Sequence, residues 1–263
     1  MTENSRLEVL AQDVSHSPAD QSARMRFFNA FLDSELCLLL SEDAGEETVS
    51  PIVATHEGAE HVFVFASEDN LAEYSKKVAP YAALSGRVIV DMLAQAGSGI
   101  AFNFGLSSSE LILTAEEITW LNGIAAEAPD THEARPTAFF SPGKEGKILT
   151  TVLMEKLLSA AALADSFWLT VVEYDNHSRS VLLIIIDACE EAEAALAKAA
   201  LEAVALSGFE NLPFDVSFLN GQDKVVESVK RQGRPLLFPE RPTKKPHQPS
   251  IPGMDPAKPP KLR

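Results

Sequence analysis

The 263-residue chain predicts an α/β protein of the α+β type, two mixed-sheet domains in tandem followed by a disordered tail rich in proline and lysine. Three observations carry that prediction. Apolar runs of strand length alternate with helical apolar stripes through most of the chain. The alternation breaks at Ala128-Pro129-Asp130-Thr131, where no apolar residue recurs at either period. From Pro235 onward the chain carries nine of its sixteen prolines, a composition that argues for disorder. These breaks divide the chain into a loose polar N-terminus over 1–19, a first domain over 20–130, a second over 136–240 and the basic tail over 241–263.

Composition excludes several functions. The hydrophobic share, 46%, is ordinary for a globular chain. The longest apolar run, Val181 to Ile186, is of strand size, against the roughly 18 residues a membrane helix needs, so no membrane partner is expected. The first residues lack a basic segment followed by an apolar one, so no secretory signal is read there. Cys37 and Cys189 lie far apart and read as small hydrophobes rather than a disulfide, which places the protein in the cytoplasm. The net charge is −16, unevenly spread: from Arg234 onward seven bases face two acids, giving +5 and leaving −21 for the body. A body this acidic repels phosphate backbones, so nucleic acid is excluded as its partner.

The elements follow in order. Ser17-Pro18-Ala19-Asp20 starts a helix carrying Met25, Phe28, Phe31 and Leu32. Glu35 to Ser41 is a central strand covered on both faces, followed by an acidic solvated loop at 42–47. Pro51–Thr55 and His61–Ala66 form a hairpin around Gly58. Ser67 caps a helix with Leu71, Tyr74 and Val78, and Ser85 to Ala96 is another with Val88, Ile89, Met92 and Leu93. Gly97 and Gly99 supply the positive φ that ends it. Ile100 to Phe104 is a buried strand, a second short strand follows the loop, and Thr114-x-x-Glu117 is a capping box for a helix with Ile118, Leu121 and Ile124.

Beyond the break, Ile148, Val152, Met154, Leu157, Leu158 and Ala161 predict a helix. Ser166–Tyr174 and Ser180–Asp187 are strands around the turn at 175–178. Glu190 to Leu206 is an alanine-rich helix, Phe214–Leu219 a strand, and Val225, Val226 and Val229 a small helix stopping at Gly233. Trp120 and Trp168 fall in helix and strand patterns and read as core.

No catalytic signature emerges. His56 and His61 are five apart, where a zinc-protease helix needs four, and they bracket a hairpin turn; no metal or cofactor is predicted. Gly143-Lys-Glu-Gly146-Lys147 lacks the spacing and hydroxyl of a phosphate loop, and Gly105-Leu-Ser107 lacks the second glycine of a nucleophile elbow. The polar residue that stands out is Asn103, an amide in an apolar strand. It reads first as a structural amide pinning the loop 105–110, since a stranded buried amide costs on the order of 1–3 kcal/mol. The alternative gives Asn103, Ser107 and Ser109 a ligand-binding role, because loops after strand ends often bind.

The order of motifs resembles the enhanced serine sensitivity family, SseB. Phe28-x-x-Phe31-Leu32-x-Ser34-Glu35-Leu36, Val62-Phe-Val-Phe65-x-Ser67-Glu68, Gly99-Ile-Ala-Phe-Asn103 and Leu111-x-Leu-Thr-x-Glu-Glu117-Ile118 are similar to its N-terminal domain. Trp168-Leu-Thr-Val-Val-Glu-Tyr174, Leu182 to Asp187 and Leu212-Pro-Phe-Asp215-Val-x-Phe-Leu219 are similar to its C-terminal domain. The family pattern often has Pro-Gly after the asparagine, where this chain has Phe104 and Gly105. The resemblance implies a role tied to serine sensitivity and amino-acid metabolism, with no assigned reaction and no catalytic residues. The sequence reading is therefore a non-enzymatic binding or regulatory protein with a protein or small-molecule partner and an open oligomeric state. The alternative is an enzyme or small-molecule sensor at the Asn103 strand end, drawing on Asn103, Ser107 and a carboxylate or Cys37.

Overall fold

The computed structural model describes residues 3–43, 48–56, 58–106, 108–209 and 212–239. Among these, the chain starts with a helix, α1 (Glu3–His16), where the sequence predicted a disordered segment over 1–19. Leu7, Ala11 and Val14 recur at helical spacing and are fully buried, so α1 is part of the first core. The missed stripe is narrow and lies among charged residues. Helix α2 (Gln21–Asp33) follows, with the Asp20 carboxylate accepting from Ala23 N at its start. It buries Phe27, Phe28, Phe31 and Leu32.

The first sheet has six strands. β1 (Glu35–Leu39) lies between β4 (Tyr81–Ser85) and β3 (Ala59–Phe65), both antiparallel to it. β3 pairs in parallel with β5 (Gly99–Phe102), which pairs antiparallel with β6 (Leu111–Leu113). β2 (Val53–His56) forms the expected hairpin with β3. The period-2 alternation of β1 sends Leu36 and Leu38 to one face and Cys37 and Leu39 to the other, and both faces are covered. Helices α1, α2, α4 (Gly86–Ala96) and α5 (Ala115–Ala126) cover the first face. The short α3 (Glu68–Ser75) covers part of the second.

Capping follows the sequence closely. Ser67 caps α3, Ser85 caps α4, and the Thr114–Glu117 box closes at both bonds. Gly97 takes φ 67° as the C-cap of α4. Gly99, expected to turn the chain, instead lies in β5, where a Cβ would stand 2.4 Å from Leu113 O. It is a glycine of close approach. Val78, expected on a helix face, lies beyond α3 and is fully exposed, and Trp120, expected in the core, is half-exposed against Phe28. The strand β4 went unread because Tyr81-Ala-Ala-Leu-Ser85 has little strand propensity of its own; pairing with the central β1 makes it.

The second sheet orders β10–β9–β8–β11, with β7 also on β8. β8 (Ser166–Tyr174) and β9 (Arg179–Ile186) form a long antiparallel hairpin, and β10 (Phe214–Leu219) runs parallel to β9. β7 (Pro136–Phe140) and β11 (Arg234–Pro235) share the other edge of β8. Helices α6 (Glu145–Leu157) and α7 (Glu193–Ala205) cover one face and α8 (Val226–Gln232) the other. The buried stripe of α6 is Leu149, Leu153 and Leu157, leaving the expected Ile148 exposed. The chain is thus α+β with two mixed sheets. The tail expected over 241–263 and residues 44–47 of the acidic loop lie outside the described residues. No described helix is long and apolar enough to cross a membrane.

Candidate functional site

Asn103 follows the last residue of β5 rather than lying within it, at φ 46°. Its side chain is fully buried and joins three segments. Oδ1 accepts from Ala66 N at 2.9 Å, and Nδ2 donates to Ser109 Oγ at 3.0 Å. Its backbone N donates to Val64 O, and its carbonyl accepts from Leu106 N. The amide therefore ties the ends of β3 and β5 to the following loop. Ser109 is brought to Asn103, while Ser107 lies outside the described residues. Beside this loop Phe104 is partly exposed and packs its ring 5.4 Å from Phe63. Cys37 lies in the apolar cluster with Leu39, Phe63 and Phe65. Burial, reinforced by Glu68 and Glu35, pushes its thiol up to about 11, so it stays protonated at neutral pH.

The sequence reading missed a charged cluster that crosses between the domains. Glu202 on α7 takes both Arg87 guanidinium nitrogens of α4 at 2.7 Å. Lys156 Nζ on α6 donates to Glu202 Oε1 at 2.5 Å, Asp33 Oδ2 at 2.6 Å and Asn29 Oδ1 at 2.9 Å. Arg87 reaches Asp33 as well, at 2.8 Å. The side chains of Glu202 and Lys156 are 2% and 3% exposed. Burial alone would raise the Glu202 carboxyl, but the hydrogen bonds and charges of Arg87 and Lys156 outweigh it and hold the group below the usual carboxylate range. Next to this cluster Leu206, at the end of α7, packs into the first domain's core. The signal was available: Lys156 and Glu202 interrupt apolar helical stripes.

The same face of α7 leads into a cleft of about 1090 Å³. Its floor is formed by Ala197 and Leu201 of α7 and by Phe214, Val216 and Phe218 of β10; the interdomain segment 127–136 makes one wall. Five carboxylates line it (Glu127, Asp130, Glu193, Glu202 and Asp215) against one lysine, Lys198. Tyr174 Oη donates to Asp215 Oδ2 at 2.7 Å, and burial together with that bond raises the phenol above its ordinary value. β10 is an edge strand, and no described strand pairs its outer side. Such an edge offers unpaired backbone groups to an incoming chain. Among the described residues no group of three or more His, Cys, Asp and Glu side chains is placed to hold a metal ion.

Fold and cleft together define a class: an α+β protein with two mixed sheets and an acidic, apolar-floored groove along α7, β10 and the connecting segment 127–136. Residues 9–120 match the model of the SseB protein N-terminal domain, so the first part of the chain is similar to that domain of the SseB family. The match begins within α1, in keeping with that helix belonging to the core. No curated protein and no solved structure matches the chain.

Proposed function

We propose that the protein acts in the cytoplasm as a non-enzymatic binding module, engaging a protein partner through the interdomain cleft, and that this binding links it to serine sensitivity and amino-acid metabolism. The second domain is read here as the family's C-terminal module. The observation that carries the reading is the cleft itself: apolar floor, carboxylate rim and an open strand edge meet in one groove. Such a groove suits a segment of another chain with basic and apolar residues better than a small anion. A second reading, a small-molecule sensor near Asn103 and Ser109, draws on the aromatic group Phe63, Tyr74 and Phe104 beside them.

Overproduction in a host grown with added serine tests the main reading. The unaltered chain is expected to slow growth. The double variant Glu127→Lys/Asp130→Lys changes two exposed rim carboxylates and should melt as the unaltered chain does, within about 0.5 kcal/mol. It is expected to lose the growth effect. A variant as potent as the unaltered chain would remove the cleft from the function.

A further inference from the structure

The chain itself carries a segment whose chemistry matches the cleft. We infer that the basic proline-rich tail, residues 241–263, folds back along the interdomain cleft and holds it as a displaceable internal ligand. The inference rests on the reading of the cleft as a binding site and adds its regulation.

Charge is the first argument. The tail holds six bases (Arg241, Lys244, Lys245, Lys258, Lys261 and Arg263) against Asp255 alone, opposite a groove where, beyond the already paired Glu202, four carboxylates (Glu127, Asp130, Glu193 and Asp215) face one lysine. Shape is the second. Pro246, Pro249 and Pro252 recur every third residue, the period of a polyproline II helix, which would place them on one face. Aromatic grooves are the usual receptors for that conformation, and Tyr174, Phe209, Phe214 and Phe218 line this one. A polyproline II segment leaves its carbonyls free, and the outer edge of β10, which no described strand pairs, has N–H groups to donate to them.

Reach is the third argument. The described chain ends at Pro239, just past β11, which lies three strand spacings from β10, roughly 14 Å. The 23 residues of the tail would extend to roughly 70 Å as polyproline II, so reach is no obstacle. Tethering sets the effective concentration in the millimolar range, enough to populate a contact that would be weak between free molecules. Exposed ion pairs contribute little each and are screened by salt, so the tail is held loosely and a partner of the same chemistry displaces it.

The test uses the full chain with Cys189→Ser and Ser250→Cys and a nitroxide label at position 250; the buried Cys37 stays unlabelled. Amide spectra at low salt are expected to lose the signals of Ala197, Leu201 and Val216. Those signals return at high salt or with Lys244→Glu/Lys245→Glu. Broadening spread evenly over the body, or centred on the smaller groove at Trp168 and Phe238, overturns the inference. So does equal broadening when labelled chains are mixed with unlabelled isotopically enriched ones, which would assign the cleft to a second copy's tail. A failed label experiment beside a positive serine-growth result leaves the cleft reading standing and removes only the tail.

Discussion

Asn103 shows how one residue serves two demands. It holds a left-handed backbone, which asparagine tolerates better than most residues, while its amide spends one end on Ala66 N and the other on Ser109. Replacing it by alanine leaves a buried N–H without a partner, at about 1–3 kcal/mol, and adds a left-handed penalty on the order of 1 kcal/mol. Asn103→Ala is therefore expected to lose about 2–4 kcal/mol in urea unfolding, and Ser109→Ala less. A loss below about 1 kcal/mol would mean that the backbone bonds alone hold the loop. The residue's importance was legible in the sequence, because an amide amid Ile100, Phe102 and Phe104 must find partners. Its backbone angle was not legible, since that depends on where β5 stops pairing with β3.

At the scale of elements, what the sequence showed and what it hid divide along physical lines. Strands with strong intrinsic preference, Ser166–Tyr174 and Phe214–Leu219, fall on the residues read for them. Elements made by their neighbours do not show: β4 exists because β1 needs a partner, and α1 because α2 leaves an apolar groove for it. The cleft was equally hidden, since it joins α7, β10 and the interdomain segment across about 90 residues of chain. The helix α1 can be tested directly. Leu7 is fully buried beside the α2 phenylalanines, so Leu7→Ala should cost about 2–5 kcal/mol by the usual cavity and transfer losses. An unchanged denaturation midpoint would return residues 1–19 to a loose terminus.

At the scale of the molecule, the question is what holds two sheets with separate cores in one arrangement. The segment joining them is mostly exposed, yet Leu206 and the Arg87–Glu202–Lys156–Asp33 cluster span the joint. Glu202 is the centre of that cluster, since it alone meets both cations while itself buried. Breaking a buried pair by removing one charge leaves the other uncompensated, typically at 3–5 kcal/mol. Because Lys156 keeps Asp33 and Asn29, Glu202→Gln should sit near the lower end, about 3 kcal/mol at pH 7. The pH dependence has a definite sign. The folded carboxyl lies below its unfolded value of about 4.3, so its contribution is complete above that pH and is lost as pH falls through the lower folded value. The gap in unfolding free energy between the unaltered chain and Glu202→Gln is thus expected to be constant near neutrality and to narrow below about pH 4. The domains should follow the same course: a chain nicked by protease within 131–135 is expected to elute as one particle at neutral pH. In acid, or with Glu202→Gln, the halves should separate. Halves that part at neutral pH with the cluster intact would show that each domain closes its own core and that the charges only decorate the joint.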